Sequence, residues 1–293
     1  MNDGLPPYLW VLNPDAEREL AATHSYAVRA AFVARVAERR ALFDALVQGE
    51  PTEYAYQKIE PKQAARALFW CPTPRVVRAA TEAGLRCGAA PSLEVLRTVH
   101  DKRFLTPRLA DVTLSGRCNV SSEDEWRRLR ASMPGDLRLK RPFGYAGKAQ
   151  RVWPRVGGED ALWLFDSLRS GGFSAEPQIE GAVELSQHGL VDARGLLLGA
   201  PCRLHTTKSG APTGIQRTAS AAEPIAKGLY HICERVAEEL RRAGYFGPFG
   251  IDALIVDDTP RLIDVNPRFT LGWSVGMGAL RAQAIERALE LVP

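Results

Sequence analysis

Apolar runs and helical spacings alternate along the first part of the chain, and they predict short strands followed by helices. The apolar run Tyr8–Leu12 stops at Asn13-Pro14, which predicts a buried first strand that ends in a turn. Residues 25–48 are rich in Ala, Arg and Leu, with Phe32 and Val36 among the apolar positions, and they predict one long helix. A strand followed by a helix begins an α/β layer.

The same alternation continues to about residue 97. Residues 67–71 predict a second strand, and residues 75–83 predict a helix that ends at Gly84, a suitable residue for a left-handed helix end. Residues 85–90 predict a weak third strand, and Ser92 is placed to cap the next short helix. The sequence up to this point therefore predicts a small open α/β domain, although it contains no G-x-G-x-x-G dinucleotide fingerprint.

Beyond residue 98 the order changes to helix, strand, glycine-rich loop, helix and strand. Helices are predicted at residues 121–133, 158–168, 223–243 and 276–291. Strands are predicted at residues 137–141, 175–179, 182–185, 196–198, 251–256 and 262–265. This order predicts an α+β unit for the rest of the chain.

Composition narrows the classes of function. The chain has 293 residues, enough for about two domains, and its 45% hydrophobic and 25% charged content match an ordinary globular protein. The net charge of +4 is small and dispersed, so we expect no nucleic-acid partner. Five scattered cysteines without a C-x-x-C pair predict a reducing compartment and no structural metal. No segment reaches the roughly 18 apolar residues that span a bilayer, so we expect a cytoplasmic protein with no membrane partner.

Two carboxylates interrupt a pair of apolar strands near the C-terminus. Residues 251–256 and 262–265 flank a polar turn, which predicts a hairpin, and antiparallel pairing can bring Asp252 beside Asp264. Asn266 lies two residues beyond Asp264 and therefore on the same face of its strand. Two carboxylates and an amide oxygen are suitable ligands for Mg²⁺. The alternative is structural, with Asp252 capping a turn and Asp264 paired with Arg268.

A lysine and a glycine-rich loop follow the strand predicted at residues 137–141. Lys140 at the strand end can reach phosphate oxygens, and Gly144 and Gly147, followed by Lys148, can bring backbone N–H groups close to them. The spacing is not that of a Walker A loop, in which a Ser or Thr would stand in place of Ala149. The alternative is that this segment is only a hairpin connection.

The extended segment from Glu176 to Ile179 is a candidate for holding a nucleotide base. Its main-chain groups lie beside the apolar Ile179 and could bind an adenine edge, and either Glu180 or Glu184 could accept a ribose hydroxyl. Taken alone, the segment is typical of an ordinary edge strand. In contrast, His24, His100, His188 and His231 show no ligand spacing and are expected to be structural or exposed.

Together these segments resemble the ATP-grasp superfamily over residues 98–293. The most specific part is Gly250-Ile251-Asp252 with Asp264-Val265-Asn266-Pro267-Arg268. The resemblance implies an α/β N-terminal domain at residues 1–97 and an α+β ATP-grasp fold. Its two subdomains, residues 98–172 and 173–293, would clasp ATP.

The resemblance also implies roles for individual residues. It implies magnesium ligation by Asp252, Asp264 and Asn266, phosphate binding by Lys102, Lys140, Gly144, Gly147 and Lys148, an adenine hinge at Glu176, Pro177, Gln178 and Ile179, and ribose binding by Glu184. Glu184 is preferred to Glu180 because Glu184-Leu185-Ser186 resembles the family pattern, but Glu180 stays open. Residues 203–217, with His205, Lys208 and Gly210, resemble a mobile loop over the γ-phosphate.

The catalytic residues that the resemblance implies are Lys140 and Arg268. Arg268 resembles an arginine that stabilises charge on an acyl phosphate, and the alternative is a structural pair with Asp252 or Asp264. The implied activity is that of an ATP-dependent carboxylate-amine or carboxylate-thiol ligase that releases ADP and phosphate. ATP and Mg²⁺, or Mn²⁺ in its place, are the implied cofactors. Small carboxylates and amines are the implied substrates.

Other activities and assemblies are compatible with the same residues. The alternatives are an ATP-grasp kinase and a noncatalytic ATP-binding regulator. The sequence leaves open the identities of the carboxylate and of the nucleophile. It also leaves open whether the chain forms a homodimer.

Overall fold

The structure is a computed structural model that describes residues 8–24, 26–61, 64–144, 149–154, 160–206, 212–218 and 223–293. The helices in this part of the chain are α1 (Ala16–Ala21), α2 (Ala30–Glu38), α3 (Arg40–Val47), α4 (Pro74–Glu82), α5 (Leu93–His100), α6 (Glu123–Ser132), α7 (Ala161–Arg169), α8 (Glu223–Arg242), α9 (Trp273–Met277) and α10 (Arg281–Leu289). None of these helices is long and apolar enough to cross a membrane.

The strands of the described residues form three separate sheets. They are β1 (Tyr8–Leu12), β2 (Thr52–Tyr54), β3 (Arg66–Phe69), β4 (Arg86–Cys87), β5 (Cys118–Val120), β6 (Leu137–Lys140), β7 (Gln150–Trp153), β8 (Phe173–Pro177), β9 (Glu184–Asp192), β10 (Gly195–Leu198), β11 (Cys202–Thr206), β12 (Pro212–Arg217), β13 (Gly247–Val256) and β14 (Thr259–Asn266). The predicted combination of an α/β layer and an α+β unit is confirmed. The domain boundaries near residues 97 and 172 stay predictions.

The N-terminal sheet is parallel, with strand order β2-β1-β3-β4. Strand β1 has the bounds predicted for it, and all five of its residues are buried. A central strand of a parallel sheet is covered on both faces, so it carries an unbroken apolar run rather than an alternating one. This is why the sequence identified β1 easily, whereas the short edge strand β2 and the six-residue helix α1 were not predicted.

The single long helix predicted at residues 25–48 is wrong. Residues 26–29 are not helical, Ser25 lies outside the described residues, and the helical segment is divided at Arg39 into α2 and α3. The apolar positions keep helical spacing through the break, so the pattern does not reveal it. The break accompanies packing of α3 on the sheet, where the rings of Phe43 and Trp70 lie 5.6 Å apart.

The middle sheet is antiparallel, with strand order β5-β8-β6-β7. Its own small core contains Trp126, Trp153, Trp163 and Phe173. Helix α6 matches the helix predicted at residues 121–133 to within two residues, with Ser122 as its N-cap. The edge strands β5 and β7 were not predicted. Of the helix predicted at residues 158–168, the first two residues lie outside the described part of the chain.

The large sheet has the strand order β12-β11-β9-β13-β14, with β10 also paired to β9. The strand predicted at residues 182–185 is wrong in position and length, because β9 runs for nine residues through Gln187, His188 and Gly189. The helix predicted at residues 276–291 is also wrong. It is divided into α9, a 3-10 turn (Gly278–Leu280) and α10, because Gly278 has a φ of 52°, which ends an α-helix.

One stability prediction concerns the cap of α5. The Ser92 hydroxyl accepts a hydrogen bond of 3.2 Å from the backbone N–H of Val95. Replacing Ser92 by alanine should lower the free energy of unfolding by about 1 kcal/mol, whereas Ser92→Gly should lower it by only a few tenths. Urea unfolding of the three proteins checks this, and an alanine variant as stable as the wild type would contradict the capping role.

Candidate active site

A cleft of about 690 Å³ lies between the middle sheet and the large sheet, with Trp70 of the N-terminal region also on its wall. The predicted site residues that line it are Lys102, Lys140, Gly144, Glu176, Pro177, Gln178, Ile179, Glu184, Asp252, Asp264, Asn266 and Arg268. The predicted residues Gly147, Lys148, Lys208 and Gly210 lie outside the described residues. The described residues predicted to bind ATP and magnesium therefore converge on one cleft, whereas His205 is exposed on strand β11 and does not line it.

Strand periodicity accounts for the acidic floor of this cleft. Side chains two positions apart lie on the same face of a strand, which groups Glu184 with Ser186 on β9 and Asp264 with Asn266 on β14. In the sheet register Asp252 is directly paired with Asp264 on one side and with Ser186 on the other. The hairpin and the neighbouring aspartates predicted from the sequence are confirmed.

A bulge in the hairpin connects the acidic floor to two cations. Asp252 pairs with Asp264 but Ala253 pairs with Leu262, so Ile263 is an extra residue without a partner in the ladder. Its carbonyl oxygen accepts hydrogen bonds from Lys140 Nζ at 2.7 Å and from Arg117 Nη1 at 3.1 Å. The bulge thus brings Lys140 of strand β6, and Arg117 just before strand β5, to the aspartate strand.

Lys140 and Glu176 form a buried ion pair on the wall of the cleft. Lys140 Nζ lies 2.5 Å from Glu176 Oε1, and Arg117 Nη1 lies 3.5 Å from Glu176 Oε2. Burial lowers the pKa of Lys140, and the carboxylates of Glu176 and Asp264 oppose that shift. Because the Glu176 carboxylate is engaged with these cations, a hinge at this position would use main-chain groups. Arg117 was not predicted, since no motif surrounds it.

The two aspartates have opposite electrostatic environments. Burial raises the pKa of Asp252 to about 8, and the neighbouring carboxylates of Asp264 and Glu184 add to this increase. Burial also acts to raise the pKa of Asp264, but the ammonium groups of Lys102 and Lys140 outweigh it and lower that pKa below its usual value. Lys102 Nζ lies 2.6 Å from Asp264 Oδ1. A bound cation would relieve the repulsion between these carboxylates.

The donor set fits a magnesium ion that also contacts a substrate. Asn266 Nδ2 donates to Asp252 Oδ2 at 3.2 Å, so its side chain adjoins the aspartate pair. Within the described residues, no group of three or more His, Cys, Asp and Glu side chains is arranged to hold a metal. Mg²⁺ commonly binds through one or two carboxylates and takes its remaining ligands from water and phosphate, which is what two aspartates and an asparagine could support.

Arg268 is held by a residue that the sequence did not suggest. Its Nε donates to Glu17 Oε1 of α1 at 2.5 Å, and its guanidinium lies 4.9 Å from the centre of the Trp70 ring. Both charged side chains are buried. Nη2 also donates to Asn266 Oδ1 at 3.4 Å. The arginine therefore links helix α1 to the predicted metal residues, and its carboxylate partner is neither of the two aspartates considered above.

A prediction follows from the position of Lys140. Replacing it by methionine should weaken ATP binding roughly tenfold to a hundredfold, because a charged donor to phosphate would be lost while the aliphatic stem stays. Calorimetry measures the affinity. The double variant Lys140→Met/Glu176→Gln is the control, since it removes the buried carboxylate that the single change leaves without its lysine partner. Unchanged ATP affinity in both variants would remove Lys140 from the site.

Comparison with known proteins agrees with this geometry. A family profile described as an ATP-grasp domain matches residues 215–272. No sequence of a curated protein matches the chain. N5-carboxyaminoimidazole synthetase from Staphylococcus aureus, complexed with ADP, superposes with a TM-score of 0.57 at 10% identity, covering 99% of this chain and 79% of that one.

Two further solved structures superpose in the same way. Biotin carboxylase from Campylobacter jejuni has a TM-score of 0.61 at 13% identity, covering 100% of this chain and 73% of that one. D-cycloserine synthetase has a TM-score of 0.60 at 17% identity, covering 96% of this chain and 99% of that one. This chain therefore has the ATP-grasp fold, as the resemblance implied.

Proposed function

We propose that this chain is an ATP-dependent ligase that activates a carboxylate as an acyl phosphate and transfers the acyl group to an amine. The observation that carries the proposal is the convergence of the extended segment from Glu176 to Ile179, two lysines, two aspartates, an asparagine and an arginine on one cleft. A cleft of about 690 Å³ is within the range of small-molecule sites, roughly 300 to 1,000 Å³. The size is suitable for a nucleotide with a small acceptor.

ATP would lie with its base against the segment from Pro177 to Ile179. The backbone N–H of Gln178 donates to the carbonyl of Asp136 at 2.9 Å, so the Pro177 carbonyl and the Ile179 amide are our candidates for the adenine edge. Leu114 and Leu254 supply apolar surface on the cleft wall. Glu184, or in its place Glu180, would accept a ribose hydroxyl. Base recognition would then rest on main-chain groups.

The phosphates would lie over the acidic floor, with Lys102 and Lys140 as their cationic partners. Asp252, Asp264 and Asn266 would hold Mg²⁺, which when bound supplies positive charge to the phosphate oxygens. Lys102 pairs with Asp264, and Lys140 pairs with Glu176. Phosphate binding would exchange these partners.

The acyl transfer would take place at the end of the cleft that contains Arg268. An oxygen of the substrate carboxylate would attack the γ-phosphorus in line, and ADP would leave. The guanidinium of Arg268 would stabilise the negative charge that develops when an amine attacks the acyl phosphate. Glu17 and the Trp70 ring restrict the orientation of that guanidinium. The names of the structural neighbours, two synthetases and a carboxylase, support a ligase over the other ATP-grasp activities.

The test is a substrate screen with an isotope readout. Purified protein is incubated with Mg·ATP and pools of amino acids and small carboxylates, and products are separated by mass spectrometry. With a carboxylate labelled by oxygen-18, an acyl phosphate mechanism transfers one labelled oxygen to the released phosphate. The control without carboxylate should release no ADP above the background.

The outcomes separate the ligase from its alternatives. Labelled phosphate together with a condensed amide supports the proposal. A stable phosphorylated product without free phosphate would identify a kinase. ATP binding without turnover for any pool would favour a noncatalytic regulator, and either of these two results would overturn the ligase.

A further inference from the structure

A buried histidine lies between two hydroxyl groups on the wall of the cleft. His188 Nδ1 lies 3.0 Å from Thr270 Oγ1, and His188 Nε2 lies 3.3 Å from Ser186 Oγ. All three residues line the cleft, although His188 and Ser186 are almost fully buried. The side chains form a continuous chain of hydrogen bonds, hydroxyl to imidazole to hydroxyl. We call it the His188 relay.

Three glycines lie close to the imidazole ring of His188. A Cβ added to Gly250 would lie 3.0 Å from Nδ1, and one added to Gly272 would lie 3.0 Å from Nε2. A Cβ at Gly276 would collide with Cδ2. The absence of a side chain at Gly276 therefore makes space for the ring, and Gly250 and Gly272 pack closely against its two nitrogen atoms.

The two ends of the relay lie in different parts of the site. Ser186 is paired in the sheet register with Asp252, beside the proposed phosphate position. Thr270 follows Arg268 by two residues, on the side where the acceptor would bind. The relay therefore runs from the acceptor end of the cleft towards its phosphate end.

The imidazole is neutral in this environment, which determines what it can do. Burial lowers the pKa of His188 to about 4, so near pH 7 one ring nitrogen carries a proton and the other does not. One hydroxyl then donates to the ring while the other accepts from it. If the ring accepts the proton of one hydroxyl and gives its own proton to the other hydroxyl, the donor and acceptor roles exchange. The ring then becomes the other neutral tautomer, and no imidazolium ion forms.

We propose that the His188 relay carries the proton released by the attacking nucleophile from the acceptor end to the departing phosphate. This inference rests on the proposed ligase function, because the proton is the one that the amine loses when it attacks the acyl phosphate. His188 acts through the two hydroxyls and is a positioning residue, whereas Thr270 and Ser186 contact the reacting groups.

Four proton transfers accompany the transfer of the acyl group. As the nitrogen-carbon bond forms and the carbon-oxygen bond to phosphate breaks, the nucleophile nitrogen gives a proton to Thr270 Oγ1. The hydroxyl proton of Thr270 passes to Nδ1, and the Nε2 proton passes to Ser186 Oγ. The hydroxyl proton of Ser186 passes to the departing phosphate oxygen. The relay ends in the opposite tautomer and returns to its starting state by proton exchange with water after product release.

The test separates the two half-reactions. With Mg·ATP and the carboxylate that the substrate screen identifies, hydroxylamine traps the acyl phosphate as a hydroxamate and reports its formation. The paired amine from the same screen reports acyl transfer. His188→Ala should leave hydroxamate formation within about threefold of the wild type and should slow amide formation on the order of a hundredfold. The exposed His231 provides a matched control, and His231→Ala should change neither rate.

Chemical rescue distinguishes proton transfer from packing. Added imidazole should restore amide formation by His188→Ala, whereas pyrrole, which has the same ring size but no nitrogen that accepts a proton, should not. Thr270→Val keeps the shape of the side chain and should slow amide formation to a similar extent. Adding Ser186→Ala to it should cost little more, because residues that act as one unit are not additive.

Each result decides between distinct interpretations. Equal rescue by imidazole and pyrrole, or a parallel loss of both half-reactions, would overturn the relay and leave His188 as a packing residue. If His188→Ala does not fold, a normal rate of amide formation by Thr270→Val would overturn the relay instead. A wild-type protein that makes neither hydroxamate nor amide would refute the ligase function itself, and the relay with it.

Discussion

Replacing Asp264 by asparagine should lower ligation turnover about a thousandfold while the protein stays folded. The change removes the negative charge of a proposed metal ligand with almost no change in volume. Metal stabilisation of transferring phosphate is worth several kcal/mol, and each 1.36 kcal/mol corresponds to about tenfold in rate. Stability should fall modestly, because relief of the repulsion with Asp252 offsets only part of the lost attraction between Asp264 and the two lysines.

The same hairpin offers a matched control for this experiment. Asp257 and Asp258 form its tip, are exposed, and have φ values of 48° and 57°, a conformation that asparagine tolerates well. Asp258→Asn is therefore the same chemical change on the same element, and it should leave turnover unaltered. Turnover is measured at saturating ATP over a range of Mg²⁺ concentrations. A wild-type rate for Asp264→Asn at limiting Mg²⁺ would reject Asp264 as a metal ligand.

Arg268→Lys should lower ligation turnover by about a hundredfold or more, with a much smaller effect on ATP affinity. Lysine keeps the positive charge but loses the planar group that both reaches Glu17 and lies over Trp70. Loss of one preorganised contact to a developing negative charge commonly costs 10²- to 10³-fold in rate, by the order of magnitude known for such donors. ATP affinity, turnover and a melting curve are measured on one preparation.

The buried Glu17 makes a purely structural role for Arg268 testable. If the arginine only neutralises Glu17, the double variant Glu17→Gln/Arg268→Met should be stable and should recover turnover, since both buried charges are gone. If Arg268 acts on the reaction, that variant should be stable but stay as slow as Arg268→Lys. Recovery of turnover in the double variant would leave the ligase without its proposed charge stabiliser.

The sequence by itself determined the elements whose evidence is local. Strand β1 was predicted with its observed bounds because a strand buried on both faces is continuously apolar. The aspartates were found because each interrupts an apolar strand, and period-2 alternation then put Asn266 on the face of Asp264. Local hydrogen bonding also identified Ser92 as a cap. In each case the residues that form the structural feature lie within a few positions of the sequence pattern that predicts it.

Only the tertiary structure decided the features that depend on distant partners. The Glu17 that holds Arg268 is 251 residues away in sequence, and neither residue carries a pattern that points to the other. The bulge at Ile263 depends on the register between two strands, which the apolar pattern does not specify to one residue. His188 looked structural because its two hydroxyl partners and its three glycine neighbours meet only after β9, β13 and the segment beyond β14 pack together. Charge pairing and close packing act between residues that are distant in sequence, so they leave no local pattern from which the contacts could be predicted.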